Sequence, residues 1–421
     1  YLTTRDQGSV NLYYNNTVRF ATSGVGVTVT GEIATSQDYP NFRPTLDFNF
    51  AAERKLDPRI TYSRTGSASF VNEFGKVVLV GDNVPRFDYG HEYVNANSYK
   101  LTNSESRGLL IEEERTNLVS YSIYDGDKSG AAQTSSGDTG NWTLTLGHAT
   151  LTGGIDAPDG SNDAVRFTAL NTGFALLRIS VPQFSANGSD SYTLSFYARA
   201  ISGTGNINCD VQDDNPNLSN WTNQMVTNEW VRIVVTGIPP AENKDFVDLV
   251  SNSNTNRVID FWGVQLEKGA FATSFIPTHG STVTRGADLA VIDGEDFTEF
   301  FNQTEGTINC AYWLGNDNSG MRVFQINDSD NSVIDIVAGA GGGAGGYGYV
   351  NTGGVAQANG GQSSVNANNL NTLHVTTLAY KENDVAGINI KTGVLTTDTS
   401  ATLDGAYNRV TFYQHVNSGD Q

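Results

Sequence analysis

Carboxylates are the most plentiful reactive groups in this chain, with 45 Asp and Glu against five His and two Cys. Paired carboxylates hydrolyse glycosidic bonds when held about 5 or about 6.5–9.5 Å apart. Asp213/Asp214 and Asp125/Asp127 are adjacent in sequence, but so acidic a chain produces such pairs by composition, and both read as solvated loops. Asp125-Gly-Asp127-Lys-Ser129-Gly130 opens like a calcium loop, yet its twelfth position is Ser136 and not Glu. Asp328-Ser-Asp330 spaces two carboxylates as a second calcium candidate. The expectation is therefore no cofactor, with one bound calcium as the alternative. No Gly-x-Ser-x-Gly elbow is present, and His91-Glu92 lacks the second His of a zinc-binding helix. Gly341–Gly346 matches Gly-x-Gly-x-x-Gly in form, without the helix and the later acidic residue of a dinucleotide site, and reads as a low-complexity loop. A non-enzymatic protein is expected, with no catalytic residues.

Binding is the chemistry that remains. Aromatic rings stack on the apolar side of sugars, and Asn and Asp take the hydroxyls. Asp213-Asp214-Asn215-Pro216-Asn217-Leu218-Ser219-Asn220-Trp221 is the loop that best combines them, giving Asp213, Asp214, Asn220 and Trp221 as glycan-binding candidates. The competing role for Trp221 is local packing. Trp230 and Trp262 fall within alternating segments and are assigned to the core.

The elements that must carry these residues read as strands throughout. Tyr, Phe and β-branched residues suit pleated surfaces, and 45 Gly with many Asn and Asp supply turns. In Ser191–Ala200, Tyr192, Leu194, Phe196 and Ala198 share one parity, while Thr193, Ser195, Tyr197 and Arg199 share the other. Glu229–Ile238 places Val231, Ile233 and Val235 together, and in Val258–Glu267 Ile259 and Phe261 are expected opposite Trp262, Val264 and Leu266. Such period-two alternation describes antiparallel sheets with a buried face. Further strands are expected near 307–314, 321–326, 332–337, 372–380, 386–391 and 409–413, and Ala338–Gly361 as a Gly-rich loop. No helix of ten residues is legible; Asp296–Asn302 allows one or two turns.

At 421 residues the chain divides into four segments. Residues 1–35 carry short alternating strands too small to bury a core alone, and are expected to trimerise. Residues 36–117 form a collar of loops and hairpins, 118–285 a jelly roll, and 286–421 a second β-sandwich whose closing strand is expected beyond Gln421. The fold class is all-β. A net charge of −20 repels phosphate backbones, so nucleic acid is not an expected partner. No apolar run reaches membrane-spanning length and no signal peptide is visible, though a chain opening at Tyr1 is expected to have had residues before it. Cys209 and Cys310 fall in different modules and are expected unpaired.

The collar phrases Leu56-Asp-Pro-Arg-Ile60, Val84-Pro-Arg-Phe-Asp88, Gly108-Leu-Leu-Ile-Glu112 and Glu114-Arg-Thr-Asn-Leu118 resemble a signature of tail-fibre and other virion proteins of tailed phages. Gly263-Val-Gln-Leu-Glu267, Ala272-Thr-Ser-Phe-Ile-Pro-Thr278 and Thr284-Arg-Gly-Ala-Asp288 are similar to the end of a carbohydrate-binding-module-like jelly roll in the same proteins. Residues 8–33 look like a short fibre repeat of marine phage appendages, and the last module is similar to concanavalin- or laminin-G-like sandwiches. The resemblance implies a homotrimeric virion appendage, a tail fibre or head fibre. It would assemble with other virion proteins and contact host-surface glycan without entering a membrane. It also implies that the sequons at Asn141, Asn187 and Asn220 stay unmodified. It carries no ligand residues over. The alternatives are a secreted bacterial glycan-binding adhesin and, behind it, a capsule depolymerase.

Overall fold

The computed structural model describes residues 2–3, 10–14, 17–23, 26–29, 44–95, 98–134, 141–144, 148–170, 172–202, 205–212, 220–253, 256–313, 321–328, 332–338, 346–360, 372–389, 393, 395–403 and 407–415. The chain forms two compact units, Tyr1–Asp47 and Phe48–Gln421. In the first, Leu2–Thr3, Asn11–Tyr14, Thr17–Ser23 and Gly26–Val29 make a four-stranded antiparallel sheet in chain order. Its register sets Leu2, Leu12, Phe20 and Val29 in one row.

The second unit begins its larger sandwich with an eight-stranded sheet. In spatial order this runs Ala132–Gln133, Ala149–Ile155, Ala164–Ala169, Val258–Lys268, Tyr192–Ser202, Val231–Gly237, Ser98–Leu110, Arg86–Asn95. It faces a five-stranded sheet of Trp142–Leu144, Phe174–Ser185, Asn243–Ser253, Gly205–Gln212 and Asn220–Val226. Tyr192, Leu194, Phe196 and Ala198 do meet Val231, Ile233 and Val235 in the core between the sheets. Strand Val258–Lys268 departs from the expected alternation. Ile259, Phe261, Val264 and Leu266 all enter this core, and Trp262 alone turns away. The cause is a β-bulge: Tyr197 pairs with Trp262 while Ser195 pairs with Gln265, so one extra residue resets the parity. Gly263 makes this possible at φ +65, where a Cβ would also sit 3.1 Å from the Tyr197 ring. On the sheet's other side Tyr197, Trp262 and Phe275 build a second core with Ile123 and Ala164, so both faces of the eight-stranded sheet are covered there.

The last sandwich pairs a seven-stranded sheet with a four-stranded one. The first holds Val355–Gly360, Tyr347–Thr352, Val333–Ala338, Met321–Asn327, Arg409–His415, Leu289–Asp293 and Thr61–Ser63. The second holds Glu305–Trp313, Leu373–Lys381, Val385–Asn389 and Leu395–Asp398. The Gly-rich stretch expected as a loop is here a hairpin over its described part, 346–360, turning at Gly353-Gly354. Gly348 serves close packing, since a Cβ there would lie 2.6 Å from Leu378 of the facing sheet, while Gly353 and Gly354 take the positive φ of the turn. A short helix, Gly294–Thr298, falls where one or two turns were expected.

The segment read as a collar contributes strands to both sandwiches. The hairpin Arg86–Asn95/Ser98–Leu110 extends the eight-stranded sheet through Val231–Gly237, and Thr61–Ser63 joins the seven-stranded sheet through Leu289–Asp293. Between them lies a buried ionic cluster. Arg86 donates to Glu112 Oε2 at 2.7 Å and to Asp288 Oδ2 at 2.5 Å, and to the Ser69 carbonyl at 2.9 Å. Arg64 reaches Asp288 Oδ1 at 3.4 Å, Tyr62 donates to the same oxygen, and Arg285 donates to the Glu113 carbonyl at 2.6 Å. The backbone N–H of Glu112 donates to Asp288 Oδ2 at 2.7 Å. Ser274 donates twice to Glu112, from its N–H at 2.7 Å and its hydroxyl at 2.6 Å. The side chains of Arg64, Arg86, Arg285 and Asp288 have no exposure.

Removing one member strands the others in a medium that cannot solvate them. Arg86→Ala should cost about 3–5 kcal/mol of unfolding free energy, measured by urea denaturation, and Arg86→Lys should recover only part because one ammonium nitrogen cannot occupy both positions that Nη1 and Nη2 fill towards Glu112 and Asp288.

Stability should also follow pH in two opposed limbs. Burial alone would raise Glu112, but Arg86, Arg285 and Ser274 hold it at about 2, below its ordinary 4.5. Its contribution is full above pH 4.5 and lost as pH falls towards 2. Asp335, fully buried, is pushed from 3.8 to about 6 despite its 2.7 Å bond from Arg322, so it costs stability above pH 6, and the cost vanishes by 3.8. The melting temperature should rise as pH falls from about 6 to 3.8 and fall as pH drops from 4.5 towards 2. Asp335→Asn should reduce the rise, which Asp88, likewise pushed up to about 6 by burial, shares, and leave the fall unchanged.

Candidate functional site

The eight-stranded sheet is covered on both sides around Trp262, whereas the five-stranded sheet turns one face to the core and the other outward. Ala175, Leu177, Ile179 and Val181 point into the core, which sends Leu176, Arg178 and Ser180 outward. On the neighbouring strand Val247 is core and Phe246 and Asp248 alternate out.

The registers align one polar residue from every strand. Thr143 pairs with Arg178, Arg178 with Asp248, Asp248 with Asp210, and Asp210 with Asn220. A second row runs from Ser180 through Phe246 to Gln212. Arg178 grips Asp248 with two bonds, Nε to Oδ1 at 2.6 Å and Nη2 to Oδ2 at 2.9 Å, and its guanidinium lies 4.5 Å from the centre of the Phe246 ring. The pair is half shielded, Arg178 at 21% side-chain exposure and Asp248 at 2%. Burial pushes the Asp248 carboxyl up, and Arg178 draws it back. A bidentate pair on an aromatic face is stiff. The described side chains of the row thus set the Thr143 hydroxyl and the Arg178–Asp248 pair beside an aromatic ring, with Asp210 and Asn220 next in register.

Of the residues singled out from sequence, Asn220 and Trp221 open the edge strand of this sheet, in register with Asp210 and with Cys209, a core residue. Asp213 and Asp214, in the connection ahead of them, lie outside the described residues, as do Asp330 and Gly341–345. Asp328 is buried and accepts the Ser332 N–H at 2.8 Å. Asp125 accepts from Asn141, its nearest bond 2.7 Å, and Asp127 accepts from Ser129 and Gln133 at 2.7 Å each, so these two carboxylates bond to different partners. Among the described residues no three His, Cys, Asp or Glu come together as metal ligands. His91-Glu92 lies in a strand. Cys209 is buried and Cys310 half-buried, and neither forms a disulfide. Among the described residues no helix is long and apolar enough to cross a membrane.

Arg178, Phe246, Asp248 and Asp210 escaped the sequence reading. The signal was an Arg at an outward position of the alternating Ala175–Val181, but its partner lies 70 residues away and only strand pairing unites them.

No family model matches the chain, and no curated protein matches it. Among solved structures it is similar to the enzymatically active domain of tailspike protein 4 of bacteriophage CBA120, with 16% identity and a TM-score of 0.28 over 35% of this chain. It spans 21% of that domain's length. It is also similar to the CBM22-1 xylan-binding domain of Paenibacillus barcinonensis Xyn10C, with 13% identity and a TM-score of 0.28 over 38% of this chain and 99% of that one. The CBM22-1-CBM22-2 tandem of the same protein gives 8% identity and a TM-score of 0.26, over 72% of this chain and 93% of that one. Likenesses this slight set neither family nor activity.

Proposed function

We propose that this chain is a non-catalytic virion appendage protein of a tailed phage, a tail or head fibre, that holds host-surface glycan on the outward face of its five-stranded sheet. The observation that carries the binding role is the row Thr143–Arg178–Asp248–Asp210–Asn220, with Phe246 beside it. Sugar rings stack on aromatic faces, and directional hydrogen bonds from preorganised side chains select hydroxyl patterns. Asn220 and Trp221 open the edge strand of the same sheet; with Asp213 and Asp214, which lie outside the described residues, they are the remaining contacts of this proposal. Asp248, held by two bonds from Arg178, suits orientation better than proton transfer. Calcium has no part in the reading.

The phage assignment rests on the signatures at 56–118 and 263–288. Exposure on the particle surface and assembly with other virion proteins follow from it, as does the homotrimer. For the trimer, the register sets Leu2, Leu12, Phe20 and Val29 in one row of a four-stranded sheet too small to hold a core alone.

Purified full chain should bind one or more neutral glycans on an array. Phe246→Ala and Asp210→Asn should each weaken that binding about tenfold, the worth of roughly 1.4 kcal/mol from one stacking or hydrogen-bonding contact, with the melting temperature within a few degrees of the parent. Absence of binding to any glycan or host cell, or undiminished binding by both variants, would reject the role. Mass photometry should give a particle of three times 45.2 kDa; a monomer at micromolar concentration removes the trimer and leaves the binding face untouched.

A further inference from the structure

The jelly roll carries a second ionic row, on the outward face of the other sheet. Arg166, Asp260 and Arg199 are in register across three adjacent strands, flanked by Thr152 on one side. On the other side stands Trp230, just ahead of Val231–Gly237, with the Arg199 guanidinium 4.7 Å from the centre of its ring. Asp260 is fully buried and receives both arginines, Arg166 Nε at 2.7 Å and Nη2 at 3.1 Å, and Arg199 Nη2 at 2.8 Å and Nε at 3.2 Å. The row adjoins the second core of Tyr197, Trp262 and Phe275, against which Trp230 packs, and Arg166 and Arg199 stay partly exposed there.

The charge balance differs from that of the five-stranded face. There one arginine is matched by one carboxylate, Asp248. Here two guanidiniums share a single carboxylate and leave one positive charge, on side chains that stay 33% and 25% exposed. The nearby Glu229, next to Trp230, pairs with Lys100 at 3.5 Å, and Lys100 also meets Glu92 at 3.2 Å, so those acidic groups are engaged elsewhere. Each arginine uses Nε and Nη2 on Asp260 and keeps its Nη1 for another acceptor. A fixed fork of unspent donors beside an indole face fits a sugar bearing an anionic group, the ring on Trp230 and the carboxylate or sulfate between the arginines.

We propose that the row Arg166–Asp260–Arg199 with Trp230 is a separate binding site for acidic glycans, independent of the neutral-glycan face. In a chain of net charge −20 such a site reads the local guanidiniums and not the global field, because charges beyond about 8–10 Å are screened at physiological salt.

Affinity electrophoresis of the full chain tests this with three gels, containing polygalacturonate, dextran sulfate and neutral dextran. Retardation is expected in one or both acidic gels, reduced in about 0.5 M salt where screening is severe; which gel retards it separates carboxylate from sulfate recognition. Trp230→Ala and Arg199→Lys should each lower that retardation about tenfold in affinity, roughly one lost stacking or bidentate contact, while Phe246→Ala leaves it unchanged. Trp230 also touches the second core, so Arg199→Lys, which preserves charge, is the arbiter if the first variant unfolds. Equal mobility in all three gels overturns the proposal, as does undiminished retardation of folded Arg199→Lys. Loss of neutral-glycan binding in Phe246→Ala with acidic binding retained would leave both sites standing, and each can fail alone.

Discussion

Arg86 between Glu112 and Asp288 is the contact on which the architecture of residues 48–421 depends. Its strand opens the hairpin that extends the eight-stranded sheet, Glu112 follows that hairpin, and Asp288 stands at the entry to the last sandwich. Ser274, on the segment that caps the second core, completes Glu112. Four stretches far apart in sequence are thus fixed at one point. A buried pair adds little net stability over an apolar substitute, but it tolerates few alternative arrangements, since any displacement leaves a charge without water or partner. The cluster therefore fixes geometry above all, and it holds the sandwich rigid enough for surface rows to stay in register.

The phrases that resemble phage virion proteins map onto this hardware. Arg86 belongs to Val84–Asp88, Glu112 to Gly108–Glu112, Ser274 to Ala272–Thr278, and Arg285 and Asp288 to Thr284–Asp288. Asn117 donates to the carbonyls of Ile276 and Val264 at 2.9 and 3.2 Å and accepts from Leu266. Gln265 accepts the Ile276 N–H at 2.7 Å, and Glu267 accepts from Thr273. The signature is thus a buried polar lattice that welds the return segment to the jelly roll. The two surface rows proposed for binding lie outside this lattice.

Both outward faces of the jelly roll solve one problem in two ways. An arginine on a pleated sheet needs a carboxylate neighbour and gains from an aromatic one, and the sheet supplies them by register. On the five-stranded face one carboxylate matches one arginine, and Asp210 is next in register. Two arginines on Asp260 leave the other face cationic. A single position decides the difference, which is how one sandwich can present unlike surfaces without altering its core.

Period-two alternation placed three strands of the larger sandwich and six of the last one, because pleating ties side-chain parity to burial whatever the partner. It failed where parity was reset, at the Gly263 bulge, and where composition misled, in the Gly-rich hairpin whose Gly348 sits against the facing sheet. The chain itself determined an all-β fold, an acidic surface and the lack of familiar catalytic motifs. The tertiary structure alone decided which polar residues became neighbours. Arg178 and Asp248 are 70 residues apart, Arg166 and Asp260 94, and Arg86 and Asp288 202. Cross-strand pairing joins the first two pairs and the packing of modules joins the third, and neither leaves a mark in local sequence. The loop of Asp213, Asp214, Asn220 and Trp221 was found because its residues are contiguous; the rows were not, because a row runs perpendicular to the chain.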